Sequence, residues 1–189
     1  MNYLTQIRNY QPINEQEAVD QAAFLAFMKN NSDHLLRSNL AGHVTVSAFV
    51  CNPELTHVLF AYHNIYESWS WVGGHLDGET DLLGVAIKEA KEETGLEEVT
   101  PLMDDIFILD VIQVMNHYKN GAYVGDHLHF NVTYLLIGDP QKPIYPKLDE
   151  NQGVKWFSWE EVFVHVTEPR MIPIYQKAYT KIKQIKENV

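Results

Sequence analysis

Three glycines, Gly73, Gly74 and Gly78, follow an aromatic stretch and open onto a segment with helical periodicity, and this succession of strand, glycine loop and helix restricts the fold more than any other feature. From Asp81 to Thr94, the residues Leu83, Ala86, Ile87, Ala90 and Thr94 fall on one helical face, and Gly95 follows as a C-terminal cap. At about 100° per residue, Glu89, Glu92 and Glu93 share the other side. Carboxylates spaced i, i+3 and i+4 repel by a few tenths of a kcal/mol per pair unless a cation lies between them. An oxygen-only ligand set suits a hard ion such as Mg2+ or Mn2+, which keeps several waters and completes its coordination with substrate phosphates. A solvated Glu/Lys face is the commoner meaning of such a triplet on its own, and the glycines ahead of it are what favour a site.

Around this segment the chain alternates strand and helix signals. Asn14 to Lys29 carries Ala18, Val19, Ala22, Leu25 and Ala26 at helical spacing, with Asn14 and Glu17 placed as a capping pair, which predicts an amphipathic N-terminal helix. Val44, Val46, Ala48 and Val50 alternate with polar residues as a strand, and Asn52-Pro53-Glu54 turns it into a second apolar run, His57 to Tyr62. Ile106 to Met115 and His127 to Ile137 are β-rich runs around a turn at Asn120-Gly121 and are expected to pair. After the proline-punctuated loop Asp139 to Gly153, a short strand through Trp156 meets Ser158 and Glu161, a second capping box. A last helix begins near Pro173, with Tyr175, Ala178, Ile182 and Ile185 on one stripe.

The 189 residues contain no internal repeat and no linker, so one domain is expected. The 14 Lys and Arg against 25 Asp and Glu give a net charge of −11, a field that disfavours DNA, RNA and anionic membrane surfaces as partners. A small anionic substrate then needs local neutralisation, for which a carboxylate-bound divalent cation is suited. The single cysteine, Cys51, allows no intrachain disulfide and fits a reducing cytoplasm. No apolar run approaches the ~20 residues that span a bilayer, and the N-terminus lacks the form of an export signal.

The glycine pair, the carboxylate triplet and the terminal glycine resemble the Nudix hydrolases, whose box is commonly written G-x5-E-x7-R-E-U-x-E-E-x-G-U. Without gaps the box runs from Gly74 to Leu96, matching at Gly74, Glu89, Glu92, Glu93, Gly95 and Leu96, with Ala90 at the first aliphatic position. Thr80 stands at the first glutamate position, with Glu79 one residue early, and Lys88 stands at the arginine position, where it lacks arginine's planar fork. The resemblance extends over roughly His43 to Glu161. It implies an α/β/α sandwich on a mixed β-sheet with added N- and C-terminal helices: residues 1–42 a helical extension, 43–165 the core and 166–189 the C-terminal helix.

It also implies hydrolysis of the diphosphate in a small nucleoside diphosphate derivative or related phosphorylated metabolite, with Mg2+ or Mn2+ held by Glu89, Glu92, Glu93 and the carbonyl of Gly74. Glu92 or Glu89 is the catalytic base within the box, and the sequence does not separate them; Glu150 is the candidate from a later loop. Further candidates for substrate contact are His75 in the glycine loop, Glu79, Lys88, Trp71 as a stacking ring, and His129, which shares a strand face with His127 and which His43 could join. Cys51 is expected to be a small buried hydrophobe rather than a nucleophile. The alternative is a Nudix-fold binding module that has lost turnover, kept open by Thr80 and Lys88; whether the chain forms a homodimer is not legible in these residues.

Overall fold

The computed structural model describes residues 2–119 and 121–187; Asn120 of the expected turn lies outside the described residues. In chain order the elements are α1 (Tyr3–Asn9), α2 (Glu15–Asn30), β1 (Gly42–Cys51), β2 (His57–His63), β3 (Ser68–Ser70), β4 (Val72–His75), α3 (Leu82–Thr94), β5 (Val99–Pro101), β6 (Ile108–Val114), β7 (His117–Lys119), β8 (Ala122–Val124), β9 (His127–Gly138), β10 (Asn151–Ser158), α4 (Trp159–His165) and α5 (Ile172–Glu187). Every element expected from periodicity forms. The helix α1 and the short strands β3, β4, β5, β7 and β8 add to them, each too brief to leave a periodic signature.

The chain divides into two compact units, and β1, β4, α3 and β9 each continue from one into the other. The first consists of Met1–Ser47, Gly73–Ala86 and Met103–Tyr134. Here β6 pairs antiparallel with the first part of β9, from Ile108 opposite Thr133 to Val114 opposite His127, and β7 and β8 form a separate hairpin. Thr45 and Ser47 of β1 are buried, and their hydroxyls donate to Oδ1 of Asn131 on β9 at 2.9 and 3.0 Å. That bond is why polar residues can alternate on a strand whose burial is complete.

The N-terminal helix forms where the capping signal placed it, but it buries a different face. Asn14 caps α2 by accepting from the Glu17 N–H, as expected. The predicted apolar stripe fails: Val19 is 68% exposed, whereas Glu17, Phe24 and Met28 are buried. The inward face is partly polar because α2 lies on β6 and satisfies its backbone. A carboxylate oxygen of Asp20 accepts from the Val111 N–H at 2.9 Å, and Glu17 accepts from the Leu109 N–H at 3.4 Å and the Tyr10 hydroxyl at 2.7 Å. Outward N–H groups of a strand need such partners once a helix shuts out water.

The second unit, Ala48–Val72, Ile87–Leu102 and Leu135–Val189, carries the strand order β10-β2-β1-β9-β5, with β3 on β2. The hairpin of β1 and β2 is antiparallel, with Val50 opposite Leu59, and β10 runs antiparallel to β2 from Asn151 to Ser158 with a bulge before Gly153. Phe49, Phe60, Trp159 and Tyr175 fill this core, with the Phe60 and Tyr175 ring centres 5.0 Å apart. The predicted capping box starts α4: Ser158 Oγ accepts from the Glu161 N–H and the Glu161 carboxylate accepts from the Ser158 N–H. No helix among the described residues is long and apolar enough to cross a membrane.

Candidate active site

In the second unit the later turns of α3 carry Glu89, Glu92 and Glu93. Gly95 ends the helix at φ +73°, and a Cβ there would stand 2.9 Å from the Tyr145 amide nitrogen. Glycine permits both this conformation and this closeness, so the Tyr145 N–H donates to the Thr94 carbonyl at 2.8 Å and the loop after β9 docks on the helix end. The N–H groups of Glu150 and Asn151 then both donate to the Lys147 carbonyl, which turns the loop tightly enough to aim Lys147 and Glu150 at the helix.

The outcome is a group of carboxylates beside two ammonium groups. Lys147 Nζ lies 2.9 Å from Glu150 Oε2 and 3.8 Å from Glu92 Oε2; Lys88, one turn before Glu92, lies 3.8 Å from Glu92 Oε1. Burial, then the charge of Glu92, holds the Glu89 carboxyl above the usual glutamate range. The hydrogen bond to Glu150 raises the Lys147 ammonium. Glu93 is buried, and its Oε2 accepts from Nδ2 of the fully buried Asn151 at 3.0 Å. Glu89, Glu92 and Glu150 thus offer oxygen atoms only, the donor chemistry of a hard divalent cation. Lys147 and Asn151 carried no sequence signal: both sit in or at the edge of a loop more than fifty residues from the helix, and only folding brings them together.

Trp71 also belongs to the second unit, half-buried and edge-on to Phe49 and Tyr175 at 5.3 and 5.6 Å between ring centres. Cys51 is fully buried, as expected of a small hydrophobe, and burial pushes its thiol far up.

The remaining predicted residues lie in the first unit. Gly73, Gly74 and His75 belong to the strand β4, not to a loop as expected, and at Gly73 the backbone of β1 comes too close for a side chain: a Cβ there would meet Ser47 Cα at 2.7 Å. The turn follows at Asp77 and Gly78, both at positive φ, and Arg37 grips the Asp77 carboxylate with its guanidinium fork. Glu79 and Thr80 are exposed beyond that turn. His129 sits beside His127 on β9, Nε2 to Nε2 3.2 Å, on the shared face expected from their spacing. Burial, then the neighbouring histidines, lowers His75 to about 3 and His129 to about 2, so both rings are uncharged near neutral pH.

A family model described as NUDIX domain matches residues 41–179. Solved structures of similar fold include a NUDIX-family hydrolase from Clostridium perfringens, 22% identical, with TM-score 0.52, covering 73% of this chain and 96% of that one. An Ap4A hydrolase from C. elegans, 16% identical, has TM-score 0.55 and covers 77% of this chain and 98% of its own. The E. coli dihydroneopterin triphosphate pyrophosphohydrolase, 14% identical, has TM-score 0.51 with 77% and 96% covered. At these identities the likeness is one of fold. No curated protein matches the sequence.

Proposed function

The chain belongs to the Nudix family of hydrolases, which act on phosphoric anhydride bonds, and on that premise we propose that it cleaves the diphosphate linkage of a small nucleoside diphosphate derivative or related phosphorylated metabolite, using Mg2+ or Mn2+. The observation that carries this reading is Glu89 held above the ordinary glutamate range beside Glu92, with Glu150 added from the loop. Lys88 and Lys147 offset part of the repulsion among these carboxylates, and a divalent cation would offset more of it.

Glu89 and Glu92 are the proposed metal ligands, with Glu93 held in place through Asn151. A divalent cation bound there neutralises the phosphate oxygens and eases deprotonation of water. Glu89 is the better of the two bases, because Glu92 is already engaged by two lysines. Lys147 holds Glu150 and Glu92 in register and supplies positive charge for an anionic substrate, which the −11 chain otherwise repels. The stretch matched by the family model runs through both units, which supports one Nudix domain, with residues 1–42 as a helical extension. The single buried thiol suits a cytoplasmic setting.

The test is phosphorus NMR on a panel of ADP-ribose, Ap4A, coenzyme A, nucleoside triphosphates and dihydroneopterin triphosphate, with Mg2+, with Mn2+ and with chelator. Metal-dependent splitting of a diphosphate in one class is the expected result. A nucleotide that raises the melting temperature while every phosphorus spectrum stays unchanged identifies a binding module instead.

A further inference from the structure

Three strands of the first unit bring histidines to one place. His43 is the second residue of β1, His75 the last of β4, and His127 and His129 alternate on β9. The ring centre of His43 stands 4.9 Å from that of His75, 5.1 Å from that of His127 and 5.0 Å from that of His129. The rings of His75 and His129 are 5.1 Å apart. One ligand nitrogen from each of His43, His75 and His129 lies within 4.8 Å of the other two.

Packing alone does not account for this group. His43 is 5% exposed; its Nδ1 is paired with the Asn39 carbonyl at 3.3 Å, and its Nε2 is buried with no hydrogen-bond partner. A carbonyl only accepts, so Nδ1 donates and the lone pair is left on Nε2. An unsatisfied buried polar atom is destabilising, a penalty that an apolar residue would avoid and a bound ion would recover. His127 is fixed in the same way, Nδ1 donating to the Gly125 carbonyl at 2.9 Å, and its Nε2 abuts His129 Nε2 at 3.2 Å. A backbone carbonyl behind one ring and a neighbouring ring behind another is the outer-shell support that metal-binding histidines need.

We propose that His43, His75 and His129 hold a late first-row divalent cation, zinc foremost, in a three-imidazole site whose His129 is positioned by His127. Three nitrogens on tetrahedral zinc stand about 3.3 Å apart, so closing from 4.8 Å asks each ring to move by about 1 Å. Imidazole selects zinc, cobalt, nickel or iron over magnesium, which sets this site apart in chemistry from the carboxylates of α3. Three protein ligands leave a fourth position for water or an anionic oxygen.

Cobalt(II) tests this directly, because four-coordinate cobalt absorbs strongly in the visible and six-coordinate cobalt on carboxylates does not. The metal-free full chain is expected to take up one Co2+ with the four-coordinate band, to keep that band in excess Mg2+, and to lose it when Zn2+ is added. His43→Ala and His129→Ala should abolish the band, while Glu92→Gln keeps it. His127→Ala should weaken binding by about 10- to 100-fold without abolishing it. Absence of the band in the wild type, its removal by Mg2+, or its persistence in folded His43→Ala and His129→Ala proteins overturns the proposal. Where those variants do not fold, the wild-type band and its response to Mg2+ decide.

Discussion

Glu93 and Asn151 show how a residue the helix pattern exposes can end up enclosed. Glu93 is 5% exposed, and the amide that meets it comes from a position 58 residues further on. Asn151→Ala removes a donor from a buried carboxylate and should cost about 1–3 kcal/mol in urea unfolding, with turnover falling at the same time. Glu89 makes the opposite prediction for stability. Its carboxyl binds a proton more tightly in the folded protein than in the unfolded chain, so its contribution is full below an unfolded value of about 4.3 and lost as pH rises through the folded value. Glu89→Gln should therefore stabilise the protein by a few tenths of a kcal/mol near pH 7, with the gain shrinking as the pH falls towards about 4, and should abolish turnover. Equal stability changes at both pH values would remove the case for a raised carboxyl. The glutamates were legible because three sit on one helix; Lys147 and Asn151 were not, because loop docking through Gly95 brings them in.

Among the elements, α2 separates what patterning can and cannot disclose. Its start was written in Asn14, which caps the helix through a local bond to the Glu17 N–H. Its inward face was not, since hydropathy chooses Val19 while the fold chooses Glu17, Asp20 and Gln21, whose polar atoms hydrogen-bond backbone groups of β6 and of the segment before α2. Val19→Ser should change stability by no more than about 0.5 kcal/mol. Glu17→Leu, which hydropathy alone would favour, should cost about 2 kcal/mol or more in the same unfolding experiment, because the buried Tyr10 hydroxyl and the Ile13 and Leu109 N–H groups lose an acceptor. The capping box at Ser158 formed as expected for the reason the Asn14 cap did: both motifs close within four residues and need nothing from the rest of the chain.

For the molecule as a whole, the order of strands and helices and the box from Gly74 to Leu96 were enough to indicate the family that residues 41–179 match. The interleaving of two units from separated stretches of chain was not legible, because β1, β4, α3 and β9 each read as one continuous element. Nor was the gathering of four histidines from three strands, which spacing announces only for the pair on β9. The −11 charge sets the terms for any phosphorylated substrate: attraction needs local positive charge, which Lys88 and Lys147 supply beside Glu92 and which a bound cation would increase. We propose that the α3 carboxylates run a metal-dependent cleavage of a diphosphate. Its most direct test compares wild type and Glu92→Gln by phosphorus NMR on the substrate the panel identifies, at saturating Mg2+. Turnover is expected in the wild type, lost with chelator, with a fall of about 100-fold or more in a Glu92→Gln protein that remains folded. Undiminished turnover in Glu92→Gln, or turnover indifferent to chelator, would contradict it.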